Sequence, residues 1–413
     1  MYPRKAVIWI GTVLAGALVL ASCSSSSTSS SSSTAASSTS GSSTATGSPI
    51  IIGNVGTYSG PIGTSNTATV PLLTAWVASI NVAGGINGHP VKFVTANDNT
   101  DSAQALTAVE SQVGNDHVIA FVDNQQQATA QAEQTYVQGK QIPIVGGDLN
   151  LPVWFASPMY FPTGASFLAN NYGQISTAQK AGSAKHAIWY CTDSPTCKIF
   201  AGVQLGVTKS MNFPATPLQP ISLAQASFTA QCLASKNAGA TSVTPNVDAG
   251  TFQRIAQNCA SVGYFPIWTT TTNAVNAAFS NLPAKTKTLG VAQQFPFFLT
   301  TGSPAIDEYY SFAKHLTSDE MNGGTAQAWA AIQLFEAAAK AGVPAGGTPT
   351  SAEILKGLYS LKDDTLGGLT IPLTFTKGAP ATLPQCWFTE GFDNGKFTNP
   401  SGLTPVCTNA KLG

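Results

Sequence analysis

From about residue 49 onward the chain predicts an α/β fold of two Rossmann-like lobes, each a parallel sheet covered by helices. Three observations carry this. Short apolar runs alternate with amphipathic stretches of helical spacing, at the intervals of βαβ units. About 365 residues follow the Ser-rich segment that ends at Ser48, too many for one ordinary core and suited to two. Turn chemistry also sits where such units need it, with Gly84-Gly85 and Asn87-Gly88 between the first predicted helix and the second predicted strand.

The elements follow in order. Residues 50–55 read as a buried strand that runs into the turn Tyr58-Ser59-Gly60-Pro61. Residues 70–82 carry Leu72, Leu73, Trp76, Val77 and Ile80 at helical spacing, and 91–94 are the next strand. Asp101 is an N-cap with Gln104 three residues on as a capping-box partner, which starts a helix to Val113. Strand, helix and strand then fall at 117–122, 128–139 and 142–145. After residue 185 the rhythm resumes: strand 187–190, helices 200–209 and 227–236, strand 240–243, helix 251–262, strand 264–269. Ligands of parallel sheets bind beyond the carboxyl ends of the strands, so the loops after each strand are where function is sought.

The N-terminus reads as an export signal. Arg4 and Lys5 precede fifteen uncharged residues, 6–20, short of the roughly 20 that a membrane span needs. Leu20-Ala21-Ser22-Cys23 resembles the lipobox of bacterial lipoproteins. That resemblance implies a signal peptide at 1–22 and a diacylated Cys23 as the new N-terminus, held at a membrane by its acyl chains. Fifteen of the 25 residues from 24 to 48 are serine and the rest are Thr, Ala and Gly, so 23–48 is expected to be a disordered tether. Its reach is about 25–30 Å.

Charge is sparse, with 19 basic and 19 acidic residues, and no Lys/Arg cluster rises above that background. Nucleic acid is therefore not an expected partner. No later apolar run is long enough for a second span. Beyond Cys23 six cysteines remain: Cys191, Cys197, Cys232, Cys259, Cys386 and Cys407. In an oxidising compartment an even set suggests three disulfides. Sequential pairing is preferred, with Cys232–Cys259 joining neighbouring helices and Cys386–Cys407 tying down the tail. No C-x₂-C or H-x₃-H spacing supports zinc, and no metal or cofactor is expected.

Enzymatic constellations are missing. Gly56-Thr57-Tyr58-Ser59-Gly60 is not a nucleophile elbow, the Gly53, Gly56, Gly60 spacing lacks the dinucleotide pattern, and no carboxylate pair stands out. The loops after strands are instead rich in neutral hydrogen-bonding groups, among them Tyr58, Ser59, Asn124, Gln125, Gln126, Gln127, Asp148, Thr192, Asp193 and the stretch 269–273. Such groups in a cleft suit a small polar ligand.

Two segments, "IIIGNVGTYSGPIG" at 50–63 and "SINVAGGINGHPVKFVTANDNTDSAQALTAV" at 79–109, resemble the leucine/isoleucine/valine-binding group of ABC-transporter solute receptors. The likeness extends through "GDLNLPVW" at 147–154 and "AQAWAAIQLFEAAAKAG" at 326–342. It implies the type I periplasmic-binding-protein fold, two lobes joined by a three-stranded hinge. Lobe 1 is expected over 49–162 plus 295–378 and lobe 2 over 163–294 plus 379–413. It also implies a monomeric receptor that closes on a small molecule and delivers it to a membrane permease. Matching positions give Ser59, Asn124, Gln126, Gln127 and Asp148 as ligand contacts of the first lobe, and Thr192, Asp193, Asp248 and Thr272 of the second. In amino-acid binders the first set holds the ligand carboxylate and an acid of the second holds its ammonium. Thr272 stands where that acid is expected, so an amide, polyol or aromatic compound fits as well as an amino acid. A sensor for a signalling partner and a tethered hydrolase are the alternative roles.

Overall fold

The computed structural model describes residues 45–59, 63–193, 195–271, 274–318 and 320–410. Cys23, the signal segment and Thr272 lie outside the described residues. Two parallel sheets organise the fold. The first holds β1 (Ile50–Gly56), β2 (Val91–Asn97), β3 (Ala120–Asn124), β4 (Ile144–Gly147) and β5 (Tyr160–Phe161) in the order β2-β1-β3-β4-β5. The second runs through β7 (Gln219–Ile221), β6 (His186–Cys191), β8 (Ser242–Thr244), β9 (Ile267–Thr271) and β10 (Lys287–Ala292), also parallel.

The expectation of parallel sheets needs one addition. β11 (Cys386–Asp393) joins β10 antiparallel and folds back into β12 (Lys396–Thr398), while β13 (Val406–Cys407) pairs its start. The β11–β12 turn is Asn394-Gly395, both at positive φ (50° and 76°), which suits a tight two-residue hairpin.

Helices cover the sheets: α1 (Thr69–Val82), α2 (Ser102–Gly114) and α3 (Gln134–Lys140) come between strands of the first. α4 (Phe167–Lys180), α5 (Pro195–Ser210), α6 (Thr229–Asn237) and α7 (Ala249–Ser261) belong with the second. The chain then returns. After α8 (Pro304–Ala313), the long α9 (Gly323–Gly342) packs on β3, β4 and α1 of the first sheet, with α10 (Ser351–Ser360) against it. α9 is buried on nearly every side, as an Ala-rich apolar helix must be. Gly342 and Gly357 let it approach α10 closely, since a Cβ on either would run into the other helix's backbone.

Between the sheets the segments at 163–165 and 293–295 lie side by side. Gln293 O accepts from Ala165 N (2.9 Å) and Gln293 Nε2 donates to Ala165 O (3.0 Å). A Cβ on Gly164 would collide with the Gln293 backbone, so this approach needs glycine. Disulfides join Cys191–Cys197, Cys232–Cys259 and Cys386–Cys407, the sequential pairing expected. No helix among the described residues is long and apolar enough to cross a membrane.

Several predicted bounds move by two to five residues, as where the helix expected from 200 begins at Pro195 and the strand expected from 264 begins at Ile267, and two of the changes bear on the site. The third strand starts at Ala120 rather than His117, because its register is set by pairing Ala120 with Ile52 and Phe121 with Gly53. The helix expected over 128–139 is turns as far as Glu133 and helical only from Gln134. The side chains of Gln126, Thr129 and Glu133 are instead bonded into the loop network described next.

Candidate functional site

At the carboxyl edge of the first sheet, three strands each carry an aspartate at or just past their end: Asp98 just after β2, Asp123 near the end of β3 and Asp148 just after β4. All three are almost fully buried, as is Glu133 from the loop after β3. Asp123 adopts φ 57°, the left-handed region that Asp and Asn tolerate better than most residues.

Hydroxyls and amides hold these acids. Thr57 Oγ1 donates to Asp98 Oδ1 (2.8 Å), and Thr129 Oγ1 donates to its Oδ2. Asp123 accepts from Thr69 Oγ1 (2.8 Å) and Gln125 Nε2 (2.7 Å). Glu133 Oε2 accepts from Gln126 Nε2 (3.1 Å), and Asp148 Oδ1 accepts from Asn150 N (2.9 Å) and Nδ2 (2.6 Å). Asn124 stitches the strand ends, accepting from Val55 N (3.1 Å) and donating to Gln126 Oε1 (3.2 Å). Two buried acceptors, Gln125 Oε1 and Glu133 Oε1, have no donor.

The two ion pairs between described residues, Lys287–Asp393 and Lys340–Glu336, lie elsewhere. Burial therefore dominates the titration. It pushes Asp123 up to about 7, with the Asp148 charge adding to the rise. It pushes Glu133 up to about 8, with Asp98 adding, and Asp148 to about 6. The Tyr58 hydroxyl, which donates to Asn54 Oδ1 (2.5 Å), is pushed well above its ordinary value by burial and by Asp123 and Asp98.

The second sheet presents a different edge. Gln204 Nε2 reaches Asn171 Oδ1 (2.9 Å), Gln174 Oε1 (3.0 Å) and Asn246 Oδ1 (2.9 Å), and Asn246 Nδ2 donates to Trp189 O (2.9 Å). A narrow hollow lies here among Gln174, Thr244, Asn246, Thr269, Thr270 and Ala274. Gln174 Nε2 and Thr270 Oγ1 are buried there without partners. The described residues lining this hollow are uncharged.

The two edges meet. The loop after β9 pairs with the start of α9: Asn276 bridges Asn322, and Ala277 N donates to Met321 O (2.9 Å). The start of α9 in turn abuts Ser65 of the loop after β1, since a Cβ on Gly324 would collide with the Ser65 carbonyl. A larger cavity, about 240 Å³, lies between Gln333, Glu336, Lys340 and Asp364. Gln333 is ten residues along α9 from Gly323, about 15 Å down the helix from the end that abuts the strand-end loops, so size alone does not mark the site.

Of the expected contacts, Asn124, Gln126, Gln127 and Asp148 come together at the first edge, Gln127 Nε2 donating to Asn66 Oδ1 (3.4 Å). Ser59 lies exposed on its rim, donating to Asn99 Oδ1 (2.9 Å). Thr192 and Asp193 follow β6, where Thr192 Oγ1 donates to Ile221 O (3.1 Å) and Asp193 accepts from Leu223 N (2.8 Å). Asp248 caps α7 by accepting from Thr251 N (2.9 Å). Sequence reasoning missed Asp98, Asp123 and Glu133, and found no carboxylate grouping where the fold gathers four acids. The signal was present, an aspartate closing an apolar run in "TAND" and "FVDN". It also missed Asn171, Gln174, Gln204 and Asn246, which helices and loops far apart in sequence contribute.

A family model described as periplasmic binding protein matches residues 49–393. Solved structures of the same fold include an ABC transporter substrate-binding protein from Aeropyrum pernix, with TM-score 0.76, 14% identity, and 88% of this chain and 97% of that one covered. A solute-binding protein from R. palustris in complex with benzoate gives TM-score 0.71 at 15% identity over 88% and 98%. The branched-chain amino acid transporter substrate binding protein LivJ from Streptococcus pneumoniae, in complex with isoleucine, gives 0.67 at 17% over 87% and 99%. No curated protein matches the chain.

Proposed function

The chain belongs to the periplasmic binding protein family, and on that premise we propose that it captures a small molecule between its two lobes and delivers it to an ABC permease. The observation that carries the reading is the start of α9, which pairs with the loop after β9 at Asn276 and abuts the loop after β1 at Ser65, so loops from the carboxyl ends of both sheets adjoin it. A ligand held from both sides shifts an open–closed equilibrium by its better contacts in the closed state. The lobes divide at 49–162 plus 295–378 and 163–294 plus 379–413. Ser59, Asn124, Gln126, Gln127 and Asp148 face the ligand from one side, and Thr192, Asp193, Asp248 and Thr272 from the other.

Cys23 carries the lipid that keeps the receptor on the outer face of the cytoplasmic membrane. The serine tether holds it within roughly 30 Å of the bilayer, which raises its effective concentration at the permease. No chemistry is done on the ligand. The test is a thermal-shift and calorimetry screen of amino acids, amides, polyols, amines and aromatic acids. A true ligand at 100-fold excess over its dissociation constant adds about 2.7 kcal/mol of stability. A broad screen that leaves the melting point unmoved would remove the capture reading.

A further inference from the structure

We propose that the captured solute ends, on its second-lobe side, in one uncharged oxygen, a carbonyl or a hydroxyl, received by Gln174 and Thr270 in the hollow at the carboxyl edge of the second sheet. This rests on the capture reading above and names the chemical class which that reading leaves open.

The hollow is built from three parts of the chain: Gln174 on α4, the end of β8 with the loop after it, and Thr269 and Thr270 on β9. Most of its polar groups are already committed. Thr244 Oγ1 bonds Thr269 Oγ1 and His186 Nε2. Asn246 exchanges two hydrogen bonds with Gln204, donating from Nδ2 to Oε1 (2.7 Å) and accepting at Oδ1 from Nε2 (2.9 Å). Gln174 Oε1 accepts from the same Gln204 amide (3.0 Å). That leaves the Gln174 amide nitrogen and the Thr270 hydroxyl. Gln174 is fully buried and Thr270 is 2% exposed, yet neither atom has a hydrogen-bond partner among the described residues. Buried polar groups are nearly always paired, so two spare ones lining one hollow call for an occupant.

The spare groups select that occupant. Gln174 Nε2 carries only N–H donors, so it needs an acceptor, and an ammonium, itself only a donor, leaves it unmet. Thr270 Oγ1 both donates and accepts. A carbonyl oxygen takes one bond from each, and a hydroxyl takes one from Gln174 and gives or takes one at Thr270. Size agrees: free room of about 10 Å³ holds one oxygen-sized group, not both oxygens of a carboxylate.

Charge agrees as well. Asp248, after β8, accepts from Thr251 at both oxygens, from N at 2.9 Å and Oγ1 at 2.6 Å. Asp193, after β6, accepts from Leu223 N (2.8 Å) and Ser222 Oγ (3.3 Å). Arg254 is committed to the Leu223 and Gln225 carbonyls. Burial lowers His186 to about 3 and pushes Glu390, which shares the Thr270 face across Gly290, up to about 8, so both are neutral at pH 7. A charged group in the hollow would find no counter-charge there, and an unpaired charge is costly to bury.

The experiment titrates the full chain at pH 7 with two matched series that differ in one group. Benzamide and benzyl alcohol are the neutral probes of the first, benzoate its anion and benzylamine its cation. Isovaleramide, isoamyl alcohol, isovalerate and isoamylamine form the second, with isoleucine as zwitterion. Calorimetry reads affinity, and a thermal melt reads the empty protein. In at least one series a neutral member is expected to bind ten-fold or more tighter than both charged members; amide over alcohol assigns a carbonyl, the reverse a hydroxyl. Thr270→Val removes a hydroxyl that has no partner among the described residues. It should weaken the preferred probe at least five-fold while leaving the empty protein's melting point unchanged or higher. Gln174→Glu turns the spare donor into an acceptor and should weaken it at least ten-fold; Thr270→Val decides the matter if that variant does not fold. A charged member or isoleucine bound in preference to every neutral probe overturns the inference and leaves capture standing. So does a preferred neutral probe whose affinity Thr270→Val leaves unchanged, which would give the hollow to a buried water. Silence from every probe overturns both.

Discussion

The Thr57 hydroxyl donates to Asp98 Oδ1 at 2.8 Å across 41 residues of sequence, and Thr129 donates to the other oxygen of the same carboxylate. One buried acid thus ties the end of β1, the end of β2 and the loop after β3. Asp98 Oδ1 also accepts from Thr100 N (2.8 Å). Asp98→Ala strands two hydroxyls and an amide, at on the order of 3 kcal/mol. Urea unfolding measures it, and a loss below about 1 kcal/mol would show that the hydroxyls find other partners.

Glu390 gives a pH prediction. It lies on β11 beside Gly290, buried, with neither carboxylate oxygen hydrogen-bonded. Burial pushes it up to about 8. An acid with a raised folded value stays protonated in the native state, so its contribution is full below the ordinary glutamate range and lost as pH rises through about 8. Glu390→Gln mimics the neutral acid. It should leave the melting point at pH 5 nearly unchanged and raise stability at pH 9 by on the order of a few kcal/mol. Equal melting points for wild type and variant at pH 9 would contradict this.

His186 titrates the other way. Its ring nitrogens lie 2.7 Å from Ser242 Oγ and 2.9 Å from Thr244 Oγ1, and burial lowers it to about 3. The stability it contributes is present above the ordinary histidine value and is lost as pH falls from about 6.5 towards about 3. His186→Gln should flatten the acid limb of a stability–pH curve, measured by denaturant titration between pH 4 and 7.

The disulfides should rank by loop length. Cys232–Cys259 spans 27 residues, Cys386–Cys407 spans 21 and Cys191–Cys197 only 6. Chain entropy gives about 3.5, 3.3 and 2.2 kcal/mol in that order. Paired Cys→Ser variants compared by chemical unfolding test the ranking, and the largest loss from the 191–197 pair would reverse it.

Two contact variants should behave differently. Gln127 is half-buried with one long bond, so Gln127→Ala should weaken ligand binding while moving the empty protein's melting point by little. Asp148 is buried and organises Asn150, so Asp148→Ala should lower both. Unchanged affinity in both would place the ligand elsewhere.

Periodicity carried the helices of this chain well. α1 was expected from residue 70 and runs from Thr69, because Leu72, Leu73 and Trp76 define one buried face without help from distant residues. The 128–139 stretch misled for the opposite reason: its helical pattern is overridden by Gln126, Thr129 and Glu133 bonding out to the strand ends. Asp101 shows a smaller version. It caps α2 as expected, but Gln104 accepts from Asn99 Nδ2 (2.9 Å) where the capping box required it to turn back.

Local pattern was enough for the α/β class, the two sheets and the placement of polar loops after strands, since these depend on neighbours a few residues apart. The chemistry of the site was not legible in this way. Asp98, Asp123, Glu133 and Asp148 lie up to 50 residues apart, and each alone reads as a strand-end or loop acid. Only parallel pairing in the order β2-β1-β3-β4 brings their carboxyls to one edge. Burial there raises Asp123, Glu133 and Asp148 well above the ordinary carboxylate range, a property that none of them has in the sequence alone.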